Sequence, residues 1–224
     1  MKGSSIAIKD YYNEFDKENR ISKKEWEHKV RIILSLVGSG KKVLDIGCGA
    51  GINSEVIKLN GNEVWGVDIA PNNVKACRKR GIKCIQLDVE HKEFPHGWGM
   101  FDVAYAGDII EHIVDTEGFF KRVHKMLKPN GFIVVATPNL ASLSRRLKLA
   151  LGRNPDTDIS LEEGLGHLRY FTVGSLSQLL KRCGFAVEEC RSDFVSLNRL
   201  RIYSIVKVFP SLGGALFVKA RKIS

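Results

Sequence analysis

The stretch from Val43 to Gly51, VLDIGCGAG, constrains the fold more than any other part of the chain. Val43, Leu44 and Ile46 form a short apolar run with β-branched members, which predicts a buried strand. Asp45 lies near the end of that run, where a carboxylate needs partners to offset its burial. Gly47, Gly49 and Gly51 alternate after it, and a helix-compatible segment, INSEVIKL, follows. Strand, glycine turn and helix make the layout of a nucleotide-type site. Backbone without Cβ atoms lets a ligand approach closely, and the helix N-terminus offers free N–H groups.

Two kinds of loop share this layout. Dinucleotide-binding loops carry G-x-G-x-x-G, whose third glycine packs helix on strand. Here that glycine comes one residue early and Ile52 fills its slot, so the pyrophosphate fingerprint is broken. An acid two positions before the first glycine suits a ligand that presents a cation or a hydroxyl. The pattern D-x-G-x-G-x-G resembles motif I of the class I S-adenosylmethionine (SAM) methyltransferases, whose loop wraps the amino-acid end of SAM. A tight turn with no ligand is the bland alternative, and it leaves a buried acid beside three glycines unexplained.

Further segments extend the resemblance. EVWGVDIA places Asp68 at the end of a strand, where an acid accepts hydrogen bonds from both ribose hydroxyls, in NAD folds and methyltransferases alike. KCIQLDVE places Asp88 after Cys84, Ile85 and Leu87, and the family uses an acid and the next backbone N–H there to read adenine. FDVAYAGDIIEHI resembles motif IV, and LKPNGFIVVATPN resembles the motif V region. The resemblance is strong over roughly residues 41–139. It implies SAM as cofactor, held by Asp45, Gly47, Cys48, Gly49, Asp68, Ile69, Asp88, Val89 and Ala106. Tyr12, of the pair Tyr11–Tyr12, would close over it, although a packing role fits those tyrosines equally.

The chain's 224 residues fit one α/β domain with a full core. The five cysteines are scattered, with no C-x-x-C pair, so neither a disulfide framework nor a zinc site is expected; a reducing cytoplasm is the natural compartment. The start, MKGSSIAIKDYY, lacks the apolar core of a signal peptide, and no stretch is long enough to span a bilayer. Net charge is +10, and residues 139–224 hold 14 Lys and Arg against 7 Asp and Glu. Such an excess favours anionic partners such as nucleic acid, phospholipid or a phosphorylated substrate, or simply a soluble surface.

SKKEWEHKVRIILSLV predicts a helix with Trp26, Val30, Ile33, Leu34 and Val37 on one stripe and a capping box from Ser22 to Glu25. Strands near 42–46, 63–68, 83–87, 101–106 and 131–137 then alternate with helices near 53–59, 71–80 and 116–127. This alternation predicts a doubly wound, Rossmann-like, mostly parallel sheet with right-handed crossovers. Asp45, Asp68, Asp88 and Asp108 all fall at strand ends, on the edge where such sheets bind ligands. In the tail, NLASLSRRLKLALGR predicts an amphipathic helix with Leu140, Leu143, Leu147 and Leu151 on one stripe and a basic opposite face. A helix near 173–183 and strands around FAVEEC and GGALFVKARK follow, with 195–208 as an insertion. In the family the last two strands form an antiparallel hairpin that completes a seven-stranded sheet. The chain thus divides into an N-terminal helical segment (1–40), a SAM-binding core (41–138), a helical cap over the acceptor (139–171) and a closing helix and strands (172–224).

Methyl transfer needs two positioned reactants, and a hydroxyl acceptor also needs a base or a metal. Glu111 and His112 are the candidates in motif IV. With Asp108 they form D-x-x-E-H, similar to the E-x-x-E-H that binds a divalent metal in quinone-biosynthesis and small-RNA methyltransferases, although many relatives keep only the E-H pair and no metal. GHLRYFT resembles the H-x-R-x-F-T segment of methyltransferases in glycan and lipid pathways. It adds His167, with Arg169 two residues on and expected to face the same cleft. In the bland alternative Arg169 holds the loop through backbone carbonyls and His167 caps a helix. The reading is a SAM-dependent methyltransferase acting on an oxygen or nitrogen of a small-molecule, lipid or glycan acceptor, with an anionic head or a membrane surface suiting the basic cap. A tRNA or rRNA methyltransferase ranks lower, because motif IV lacks N-P-P-[YF] and no added RNA-binding domain is visible. A SAM-sensing or partner-binding protein without turnover is the rival from another class.

Overall fold

The computed structural model describes residues 22–155, 167–197 and 200–223. Helix α1 (Lys23–Val37) starts at the expected capping box: the Ser22 hydroxyl accepts from the Glu25 N–H at 3.3 Å, and the Ser22 N–H donates to the Glu25 carboxylate at 2.8 Å. Ile32 and Leu36 are buried together with Trp26, Val30, Ile33 and Val37, so its apolar face is broader than the expected stripe.

Strands β1 (Lys42–Ile46), β2 (Glu63–Asp68), β3 (Lys83–Gln86), β4 (Phe101–Gly107) and β5 (Leu127–Pro138) alternate with α2 (Ile52–Leu59), α3 (Pro71–Lys79) and α4 (Thr116–Met126). After a short helix α5 (Leu143–Ala150) come α6 (Val173–Arg182), β6 (Phe185–Ser192), a hairpin of β7 (Val195–Leu197) and β8 (Leu200–Ile202), and β9 (Ala215–Lys222). Seven strands form one sheet in the order β3-β2-β1-β4-β5-β9-β6, while β7 and β8 pair separately. The first five run parallel, and β9 is antiparallel to both β5 and β6. The doubly wound sheet with its antiparallel close is therefore as the sequence predicts. β5 begins at Leu127, earlier than expected, because Phe101 pairs with Leu127 before the register shifts.

Period-two alternation explains why both faces carry helices. Leu44 and Ile46 of β1, with Ala104 and Ala106 of β4, pack on the side of α4 and α6. Val43, Val103 and Tyr105 point the other way, toward α1, α2 and α3. Such two-sided burial is what a parallel sheet requires. Asn139, fully buried just past β5, donates to the carbonyls of Ser211 and Gly213 at 2.9 and 2.8 Å, anchoring the tail to the carboxyl edge. Leu140 and Phe171 join there through a backbone hydrogen bond of 2.8 Å, so residues after 167 return to the mouth of the sheet. Among the described residues no helix is long and apolar enough to cross a membrane.

Candidate functional site

The glycine loop is shaped by close contacts. The N–H groups of Gly47 and Cys48 both donate to the Val67 carbonyl, at 2.8 and 3.0 Å, which folds the loop over the end of β2. Gly47 has φ +69°, and a Cβ there would stand 2.6 Å from the Ile109 side chain. Gly51, the glycine that comes too early for a dinucleotide loop, has φ +85° and abuts Cys77 of α3. Both positions exclude larger residues.

The predicted acids take different places. Asp45 is 1% exposed and accepts from the Ser54 hydroxyl at 2.5 Å, tying β1 to α2. Burial pushes its carboxyl up to about 7. Asp68 receives the Gly49 N–H on one oxygen at 2.8 Å, and the Ala70 N–H and the Asn73 amide on the other at 2.9 and 3.1 Å. Asp88 accepts from the Glu90 N–H and pairs with the His91 ring, and that ring holds its carboxyl below the usual range. A cavity of about 480 Å³ opens at this edge. Gly47, Asp68, Ile69, Asp88 and Val89 line it with Asp108 and His112, whereas Asp45, Cys48, Gly49 and Ala106 are not on its wall. Tyr11 and Tyr12 lie outside the described residues.

Asp108 has φ +51°, an unusual conformation for a non-glycine residue, and its N–H donates to the Ala136 carbonyl at 2.9 Å. It is accessible at the cavity wall but surrounded mostly by protein, and that desolvation raises its carboxyl pKa. Glu111 and His112 sit on the single 3₁₀ turn Ile110–His112. Glu111 is 1% exposed; one carboxylate oxygen accepts from Thr137 at 3.0 Å, and the other is buried with no hydrogen-bond partner among the described residues. Burial first, and the Asp108 charge second, push its carboxyl up to about 7. Burial, with the neighbouring His167, lowers the His112 pKa and favours neutral imidazole.

The structure brings His167 to these residues. Its ring centroid lies 5.1 Å from that of His112, and the ligand atoms of Glu111, His112 and His167 all fall within 4.8 Å of one another. Asp108 is not in that group. Arg169 differs from its expected place in the cleft: its Nε donates to the carbonyls of Ile113 and Val114, each at 3.1 Å, and a further guanidinium nitrogen reaches Val114. The Glu111 carbonyl accepts from the N–H groups of Leu168 and Arg169, which completes the clamp. Lys29 and Asp193 escaped the sequence reading. They pair at 3.8 Å, and both act electrostatically on Asp108. Lys29 lies within an amphipathic helix and Asp193 between apolar runs, so no motif marks either.

Residues 17–190 match the methyltransferase domain family. The chain belongs to that family. This methyltransferase domain is 38% identical over 120 residues to a ubiquinone biosynthesis O-methyltransferase of Bradyrhizobium diazoefficiens, covering 52% of this chain and 46% of the relative. It is 32% identical over 125 residues to the mitochondrial ubiquinone biosynthesis O-methyltransferase of Schizosaccharomyces pombe, covering 52% and 44%. The chain thus spans about half the length of the curated relatives it matches. Among solved structures, an S-adenosylmethionine-dependent methyltransferase of Mesorhizobium loti superposes with TM-score 0.63 at 23% identity, covering 88% of this chain and 97% of the other. A methyltransferase of Thermotoga maritima, described as a possible histamine N-methyltransferase, gives 0.67 at 18% identity, covering 99% and 100%.

SAM is the cofactor of this family, and the residues present fit it. Gly47 brings loop backbone without a Cβ to the cavity wall. Asp68 has three donors on a carboxylate with about four acceptor sites, so one remains for a hydroxyl in the cavity.

Proposed function

We propose that this methyltransferase domain transfers a methyl group from SAM to a hydroxyl oxygen of a small-molecule acceptor. The observation that carries the reading is the Glu111–His112–His167 group, whose His112 lines the cavity together with Gly47 and Asp68. SAM, when bound, supplies a methyl already activated on a sulfonium. Asp68 would hold the ribose, Asp88 and Val89 the adenine edge, and the Gly47–Gly49 backbone the amino-acid end. His112 is poised neutral, so it can accept the proton that a hydroxyl must lose. His167 packs edge-on beside it and fixes the imidazole's orientation. An oxygen acceptor also agrees with the O-methyltransferases named among the relatives.

A metal-assisted form has an observation of its own. The second Glu111 oxygen is buried with no hydrogen-bond partner among the described residues, in the same group as two imidazoles. Glu111, His112 and His167 would hold a divalent cation there and bring an acceptor oxygen into reach of the methyl. We assign residues 139–171, of which 156–166 lie outside the described residues, as a cap over the acceptor. Helix α5 has no buried residue, and it carries Arg145, Arg146 and Lys148 beside exposed Leu147 and Leu149. That surface suits an acceptor with an anionic head and an apolar body, or one carried at a membrane.

Labelled SAM offered with pools of phenolic and other hydroxylated acceptors tests the reading. Methyl incorporation is expected in the native chain and should fall strongly in His112→Ala and His167→Ala, with SAM affinity nearly unchanged. SAM binding without incorporation into any acceptor would leave a sensor instead. Loss of activity in excess chelator, restored by magnesium, selects the metal-assisted form.

A further inference from the structure

Three of the five cysteines, distant in sequence, meet at one place. Cys48 in the glycine loop, Cys77 in the last turn of α3 and Cys84 in β3 are all buried and free. The Cys48 sulfur lies 3.7 Å from that of Cys77 and 3.5 Å from that of Cys84, and all three fall within 4.8 Å of one another. Two glycines make the room. A Cβ at Gly66 would stand 2.9 Å from the Cys48 sulfur and 3.3 Å from that of Cys84, and one at Gly51 would stand 2.8 Å from the Cys77 sulfur. None of the three lines the cavity described above.

Sulfur spacing decides what such a group can hold. Thiolates are soft ligands that select ions such as monovalent copper, with metal–sulfur bonds of about 2.3 Å. Three sulfurs around one ion then stand roughly 3.8–4.0 Å apart, so the two spacings of 3.5 and 3.7 Å need widen by only about 0.1–0.5 Å. Among the described residues no fourth Cys, His, Asp or Glu atom joins the group. Structural zinc sites take four ligands, whereas monovalent copper is content with three sulfurs.

We infer that Cys48, Cys77 and Cys84 form a thiolate site for one soft cation of the monovalent-copper type, which ties the glycine loop to α3 and β3. On binding, each ligating thiol releases its proton to solvent and each sulfur donates an electron pair to the ion, with no change of oxidation state.

The test titrates the fully reduced chain, without oxygen, with monovalent copper held by a coloured competing chelator. One equivalent should bind. Cys77→Ser and Cys84→Ser should each weaken binding by at least about tenfold, the scale on which even supporting partners of a ligand act. Cys183→Ser and Cys190→Ser should leave it unchanged. X-ray absorption of the native copper-loaded chain needs no variant to fold. Three sulfur neighbours support the site, and nitrogen or oxygen neighbours, which would mark the Glu111–His112–His167 group, overturn it. A reduced native chain that binds no copper overturns it as well.

Discussion

Asp68 carries three donors before any ligand arrives, which narrows its part at the cavity. One acceptor site remains, so in the proposed role it would accept from one ribose hydroxyl unless the Asn73 amide turned away to free a second. Asp68→Ala should weaken SAM binding by about 2–3 kcal/mol, the scale of a lost charge-assisted hydrogen bond, and calorimetry reads it directly. Unchanged affinity would remove the assignment. Asp45 offers a different test, of stability. Its folded carboxyl is raised from 3.8 to about 7 by burial. The folded state therefore binds the extra proton, and the stability this contributes is complete below about pH 4 and lost as pH rises through 7. Relative to Asp45→Asn, the native chain should lose up to about 4 kcal/mol between pH 4 and pH 8. Denaturant midpoints across that range measure it, and parallel curves for the two proteins would contradict it.

At the scale of elements, the 3₁₀ turn Ile110–His112 and the segment after His167 behave as one unit. The Glu111 carbonyl holds the backbone of Leu168 and Arg169, and the Arg169 guanidinium holds the carbonyls of Ile113 and Val114. His167 reaches His112 because this clamp holds the adjoining Leu168 and Arg169 against the 3₁₀ turn. Arg169→Ala should leave SAM affinity unchanged and lower kcat by about tenfold or more, because a positioned group is lost while cofactor binding is not. Arg169→Lys should rescue little, since an ammonium cannot serve two carbonyls with a fixed fork. Steady-state kinetics on the methylated acceptor decides it, and full activity in Arg169→Ala would show that the clamp is dispensable.

At the scale of the whole molecule, charge and exposed apolar surface fall together in the tail. Residues 139–224 carry +7 of the net +10. Leu147, Leu149 and Leu151 are 47, 65 and 71% exposed, with Val208 and Phe209 at 71 and 56%. Replacing the three leucines by serine should change stability by about 0.5 kcal/mol or less each, as at other exposed sites. It should markedly weaken binding to vesicles containing anionic phospholipid, measured by cosedimentation. Equal sedimentation of both proteins would assign the leucines no lipid role.

Local chemistry made the sheet legible. Apolar runs, turn glycines and the capping box at Ser22 are short-range signals, so the order of strands and helices, the parallel core and the carboxyl-edge position of Asp68, Asp88 and Asp108 were all written in the sequence. Contacts between distant residues were not. The leucine stripe of the tail looks the same whether it docks on a core or faces solvent, and only packing shows Leu147 and Leu151 exposed. Arg169 two residues after His167 suggested a shared cleft, yet its guanidinium finds carbonyls 55 and 56 positions away along the chain. Cys48, Cys77 and Cys84 read as scattered thiols because spacing carries no metal motif, and they converge because β3, α3 and the glycine loop stack on one side of the sheet. Sequence periodicity reports which face of an element is apolar. What meets that face is decided by how the elements pack in three dimensions.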